Sequence, residues 1–264
     1  MTTGLLASCL VSAIGVYFYY LLQDGPFEYF YLTLRWPASV CSGVNCSEVP
    51  GNFTIHGLWA QTKNHKQYDC SGKDFDYEKL ANDTALMAEM NKIWPSLSEV
   101  PDQNRDLWKH EWNKHGSCTF ESQRQNEYFY KTCGMCNQAR LLKIFEAKGN
   151  SVFFFFSPTT LSLPMTGPSY YITPGNKSYF LRDYIDAIQT SSEIGKKPGP
   201  FTCKWKKSGP KRLVEVKLCT DKEVTKFMDC TAPEEEAPTC GKVEESIPIA
   251  FPSNNKDDDE VAVL

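Results

Sequence analysis

The sequence predicts an α+β fold, an antiparallel β-sheet core flanked by helices. Three observations predict it. Short aromatic and β-branched runs bounded by Pro and Gly read as strands. Longer stretches with apolar residues at helical spacing read as helices. The two kinds alternate without the regular strand–helix–strand rhythm of a parallel sheet.

The elements follow in order. Phe27 to Trp36 reads as a first strand, stopped by Pro37. Asn52 to Trp59 reads as a second, with Gly57 inside it. Tyr77 to Trp94 carries Leu80, Leu86, Met87, Met90 and Ile93 at helical spacing. Asp106 to His115 also suits a helix, as does Asn126 to Lys148, whose Tyr128, Leu141, Leu142 and Phe145 belong in a core. Tyr179 to Gln189 is a short helix, and Leu213 to Cys219 alternates as a half-buried strand. The chain divides into an apolar leader (residues 1–22), one folded domain (25–252) and an acidic disordered tail (253–264). Residues 150–171 stand out inside the domain: Phe153 to Phe156 run consecutively into Ser/Pro/Thr-rich sequence. They read as translated non-coding sequence or as a surface insertion, because long structureless loops are uncommon in compact domains.

At 264 residues with 41% hydrophobic composition the chain can build a sizeable core. Its net charge of −4 excludes a general polyanion-binding surface, so any grip on a nucleic acid must be local to a cleft. Of the 11 cysteines, Cys9 lies in the leader and the rest form an even set, which favours an oxidising compartment. Glycosylation triplets at Asn45, Asn52, Asn82 and Asn176 point the same way. Leu5 to Leu22 is apolar and uncharged. It reads as a cleaved signal peptide without a basic n-region, the rival being an uncleaved anchor whose aromatics Tyr17 to Tyr20 would suit a membrane interface.

The chemistry gathers at the histidines. There are four, and His56, His110 and His115 fall in two short stretches. The first is Phe53-Thr54-Ile55-His56-Gly57-Leu58-Trp59; on a regular strand Thr54, His56 and Leu58 share one face. The second is His110-Glu111-Trp112-Asn113-Lys114-His115-Gly116-Ser117-Cys118. On a regular helix it makes neighbours of Glu111 and His115, and of His110 and Lys114. RNA carries its own nucleophile, the 2′-hydroxyl. An enzyme acting on it needs a base, an acid and a cation for the transition state, and two imidazoles and a lysine supply them without a metal or cofactor. A lone strand histidine is usually structural and a charged helix face is usually just solvated; convergence of three histidines with Glu and Lys decides between the readings. A zinc peptidase needs His-Glu-x-x-His. Here the histidines are five apart, about 140° round a regular helix, which disfavours joint chelation.

These two motifs, with the opening strand Phe27 to Pro37, resemble the ribonuclease T2 family over about Phe27 to Pro252, and most closely its plant S-like, vacuolar type. The resemblance implies an endoribonuclease of low base specificity that cleaves single-stranded RNA through a 2′,3′-cyclic phosphate to 3′-phosphate ends. It implies catalytic roles for His56, Glu111, Lys114 and His115, a phosphate-binding role for His110, and a site-lining role for Trp59. It also implies disulfides Cys41–Cys46, Cys70–Cys118, Cys203–Cys240 and Cys219–Cys230, leaving Cys133 and Cys136 as a fifth bridge or as thiols. The expected partner is RNA, not DNA. No stable membrane partner follows signal cleavage, the chain is a monomer, and its destination is extracellular or vacuolar. The alternative is an inactive storage or recognition glycoprotein on the same fold.

The sequence departs from the family in places. Ala60 stands where Pro is common. Arg35 and Leu107 occupy base-recognition positions, Leu107 where an aromatic often stacks, which weakens the expected base preference.

Overall fold

The computed structural model describes residues 27–100, 102–120, 122–147, 152–153, 165–166, 171–205, 209–231, 239–243 and 245–254. The leader and the acidic tail beyond residue 254 therefore lie outside the described residues.

The sheet has seven strands. Strand β1 (Tyr29–Arg35) is fully buried and lies between β2 (Thr54–Gln61) and β7 (Lys211–Thr220), antiparallel to both. Its run of aromatic and branched residues suits a strand covered on both faces. The long β7 is the hub. It also pairs antiparallel with β6 (Phe201–Lys204) and β8 (Phe227–Met228). Strand β9 (Pro248–Ala250) joins β7 in parallel and carries β5 (Ser178–Phe180) at the edge. The α+β expectation holds, with that one parallel pairing as an exception to the antiparallel core. The short strands β5, β6, β8 and β9 carry too little periodicity to be read from sequence.

Helices stack on one side. A one-turn helix α1 (Pro37–Val40) follows β1, then come α2 (Tyr77–Ala81) and α3 (Thr84–Ile93). The expected single helix from Tyr77 to Trp94 is thus two, because the Asp83 carboxylate accepts from Leu86 N and caps a new start. Helix α4 (Gln103–Glu111) precedes α5 (Gln125–Ala139), which packs on β1 and β2; Tyr128 donates its hydroxyl to Leu58 O at 3.1 Å. Arg140, at φ 46°, ends α5 and starts α6 (Leu141–Glu146), again two helices where one was expected. Helix α7 (Leu181–Gln189) closes the layer against α6. Trp36, Trp94, Trp108 and Trp112 are all fully buried.

Four disulfides join Cys41–Cys46, Cys70–Cys118, Cys203–Cys240 and Cys219–Cys230. Cys133 and Cys136 on α5 remain thiols. Burial pushes the Cys136 thiol up to about 12, so it is not poised for redox chemistry. Among the described residues, the unusual segment after α6 holds two short strands, β3 (Val152–Phe153) and β4 (Met165–Thr166), which pair with each other. Across its base, Ile172 N donates to Phe145 O at 2.9 Å, so the core closes without it. Among the described residues, no helix is long and apolar enough to cross a membrane.

Candidate active site

His56 sits where β2 departs from regular pairing. Gly57 opposes Thr33 and Ile55 opposes Leu34, so His56 is the extra residue of a β-bulge. The bulge corrects the expectation that Thr54, His56 and Leu58 share a face. Ile55 and Leu58 go to the core, while His56 and Trp59 emerge together, half-buried, with ring centroids 5.0 Å apart. A second bulge lies on β7, where Thr202 opposes Glu215 and Cys203 opposes Leu213, skipping Val214. Glu215 itself stays in regular register opposite Arg35 of β1. The Glu215 carboxylate lies 2.6 Å from His56 Nδ1 across the intervening β1. With Nδ1 engaged, Nε2 is the ring atom left for chemistry.

The second motif begins on α4 and leaves it as a π-turn, Trp112–Gly116, closed by Ser117 N donating to Trp112 O at 2.8 Å. Two constraints open the helix here. Cys70 N takes the Lys114 carbonyl at 2.7 Å, beside the Cys70–Cys118 bridge. Gly116 admits the Trp112 indole, since a Cβ there would meet Trp112 Cε3 at 2.4 Å. The wider turn changes the geometry expected of a regular helix. His110 and His115 are not splayed by about 140°; their rings lie 6.2 Å apart. Ligand atoms of His110, Glu111 and His115 all lie within 4.8 Å of one another. The angular ground for setting aside a zinc site therefore does not hold.

Trp59 joins the two motifs. Its ring is 5.0 Å from that of His56 and 5.6 Å from that of His115, and its Nε1 donates to Glu111 Oε2 at 3.0 Å. Gly57 makes room for this: a Cβ on it would stand 2.0 Å from Glu111 Oε2. The Lys217 ammonium lies 6.0 Å from the Trp59 ring. Lys114, half-buried, reaches Asp69 at 3.6 Å.

The carboxyls and imidazoles are tuned apart. Burial raises Glu111 to about 7, against the opposing pull of His56, the Trp59 hydrogen bond, Arg35 and Lys114. Burial likewise lowers His115 to about 3; Asp69 opposes this, while Lys114, His110 and His56 add to it. Asp69 Oδ1 stands 3.5 Å from His115 Nδ1, in ion-pair reach but not hydrogen-bonded. For Glu215, burial pushes upward, but the hydrogen bond to His56 and its charge win, holding the carboxyl below its ordinary value. The arrangement thus holds one neutral imidazole and one imidazole backed by a carboxylate, the pairing that base and acid need.

His56, Trp59, Glu111, Lys114, His115 and His110 all come together. Arg35 adjoins the cluster through its charge on Glu111 and Glu215 rather than as an open base reader. Arg35 is buried and its guanidinium donates to Pro95 O; Leu107 is half-buried against the core. Glu215, Asp69 and Lys217 were missed. Glu215 and Lys217 had a faint signal, charges within an apolar strand pattern; Asp69 had none.

The Ribonuclease T2 family model matches residues 27–151. Relatives extend the likeness over most of the chain. Intracellular ribonuclease LX of Solanum lycopersicum is 29% identical, covering 89% of this chain and 88% of its own. Ribonuclease S-7 of Nicotiana alata is 28% identical, covering 81% and 87%. The chain belongs to the ribonuclease T2 family. Solved members share the fold. RNase NT in complex with 5′-AMP superposes with a TM-score of 0.64 at 28% identity, over 87% of this chain and 100% of that one. Ribonuclease MC1 from bitter gourd seeds gives 0.63 at 25%, over 85% and 100%. What argues against a zinc peptidase is this family membership, together with Glu111 being turned to Trp59.

Proposed function

We propose that this T2-family protein is an endoribonuclease cleaving single-stranded RNA by transphosphorylation. The observation that carries the reading is that His56 and His115, from a strand and a helix end, pack on the same Trp59 ring. Two imidazoles so held can serve one phosphodiester.

His115, kept neutral by burial, takes the 2′-hydroxyl proton as the 2′-oxygen attacks phosphorus. His56, its Nδ1 held by Glu215, gives its proton to the departing 5′-oxygen as the P–O5′ bond breaks, leaving a 2′,3′-cyclic phosphate. Carboxylate support of an imidazole that gains and loses a proton is the logic of hydrolytic triads. Water then opens the cyclic phosphate with the two roles exchanged, giving a 3′-phosphate. Lys114 and His110 stabilise the charge on phosphorus. Glu111, near neutrality, donates when protonated. Base preference is weak, because Arg35 is spent on Pro95 O and Leu107 offers no aromatic face.

The four disulfides, and exposure of Asn45, Asn52, Asn82 and Asn176 for N-glycans, support a secretory-pathway destination, extracellular or vacuolar. For residues 150–171 translated non-coding sequence is favoured over a working part, since Phe145 and Ile172 already join the flanks of the segment by a hydrogen bond. RNA digestion in EDTA with the product ends identified tests the activity. Cyclic phosphate ends formed in EDTA are expected; loss of cleavage on chelation or 5′-phosphate products would overturn it.

A further inference from the structure

Beside the catalytic cluster lies a cleft of about 500 Å³. One wall is Cys70 to Lys73; the other is Asp106, Lys109, His110, Asn113 and Lys114. His110 and Lys114 belong to both cleft and active site, so the two recesses are continuous. Lys73 and Lys109 are exposed, and among the described residues neither has an ion pair or hydrogen-bond partner for its ammonium. Asp106 is the one acid in the lining, exposed and within 3.4 Å of Gln103 Nε2. A local excess of positive charge on a chain of net charge −4 suits an anionic occupant.

We propose that this cleft is a second phosphate subsite, in which Lys73 and Lys109 hold the RNA phosphate next to the one being cleaved. The inference rests on the ribonuclease reading for its occupant. Continuity supplies the argument. The RNA strand leaves the scissile phosphate past His110 and Lys114, which line both recesses. It then enters a cleft lined by cations. Such contacts position the strand and carry no base information, which agrees with weak base preference. The site therefore selects oligonucleotides over the shortest substrates.

The test is the double variant Lys73→Ala/Lys109→Ala. With an octanucleotide its KM rises about tenfold at unchanged kcat. With a dinucleoside monophosphate, which has no second phosphate, nothing is lost. Binding of a non-cleavable 2′-deoxy oligonucleotide provides a readout independent of activity. There the slope of log affinity against log salt falls by about 0.7 for each contact removed. Equal loss on both substrates, or an unchanged salt slope, overturns the proposal. A parent chain that binds the deoxy strand with that slope yet cleaves no RNA would sink the ribonuclease reading and leave the subsite standing.

Discussion

His56 Nδ1 and Glu215 Oε1 stand 2.6 Å apart although their strands are not neighbours, β1 lying between them. The bulge in β2 releases His56 from pairing, while Glu215 keeps its regular register opposite Arg35 of β1. Glu215→Gln keeps the shape and removes the charge. Its kcat should fall about 10-fold to 10²-fold, with KM little changed and the pH–rate profile displaced. His56→Ala and His115→Ala should each lose 10²-fold or more. Initial rates on RNA, with folding checked by circular dichroism, measure all three. A Glu215→Gln enzyme with an unaltered profile would remove Glu215 from the machinery.

Gly57→Ala introduces a Cβ into the space held by Glu111 Oε2. The carboxyl must move and its hydrogen bond from Trp59 must break. Activity should drop by about 10-fold or more, and the indole fluorescence of Trp59 should change. Parental kinetics in this variant would mean that Glu111 has no fixed place in the reaction.

Glu111 and His115 impose opposite pH slopes on stability. The unfolded Glu111 carboxyl titrates near 4.5, the folded one near 7. Unfolding therefore releases a proton in that window, and this contribution is lost as pH rises through it. His115 is depressed from 6.5 to about 3. Its unfolded ring takes up the proton first, so that contribution is lost as pH falls through the window. Glu111→Gln abolishes only the first slope. Relative to the parent it should gain on the order of 1–3 kcal/mol between pH about 4.5 and about 7. Denaturant titrations across that range decide it; parallel curves for parent and variant would refute the burial argument.

Removal of residues 150–170 should leave the domain folded and active, because the Phe145–Ile172 hydrogen bond already joins its flanks. Shortening a loop changes closure entropy only slightly, about 0.6 kcal/mol per halving. Melting temperature and RNA cleavage of the shortened chain are the measurements. Loss of either would make the segment a structural part. Peptide mapping of the natural protein complements this, since recovery of a peptide spanning Phe153 to Phe156 would end the non-coding reading.

The sequence by itself determined the class of the fold, its main elements and the six residues of the two motifs, because alternation, helical spacing and the rarity of histidine are all local signals. Tertiary structure alone decided how those residues face. One inserted residue in β2 reversed the alternation that would have separated His56 from Trp59, and a π-turn brought His110 beside His115, five positions on. Glu215 entered the site only because β7 pairs with the far side of β1, two strands from β2, opposite Arg35. Such departures arise where side chains from distant segments compete for the same backbone groups, as Cys70 does for the Lys114 carbonyl. No spacing within one segment contains that competition, so the site's membership was legible in advance and its geometry was not.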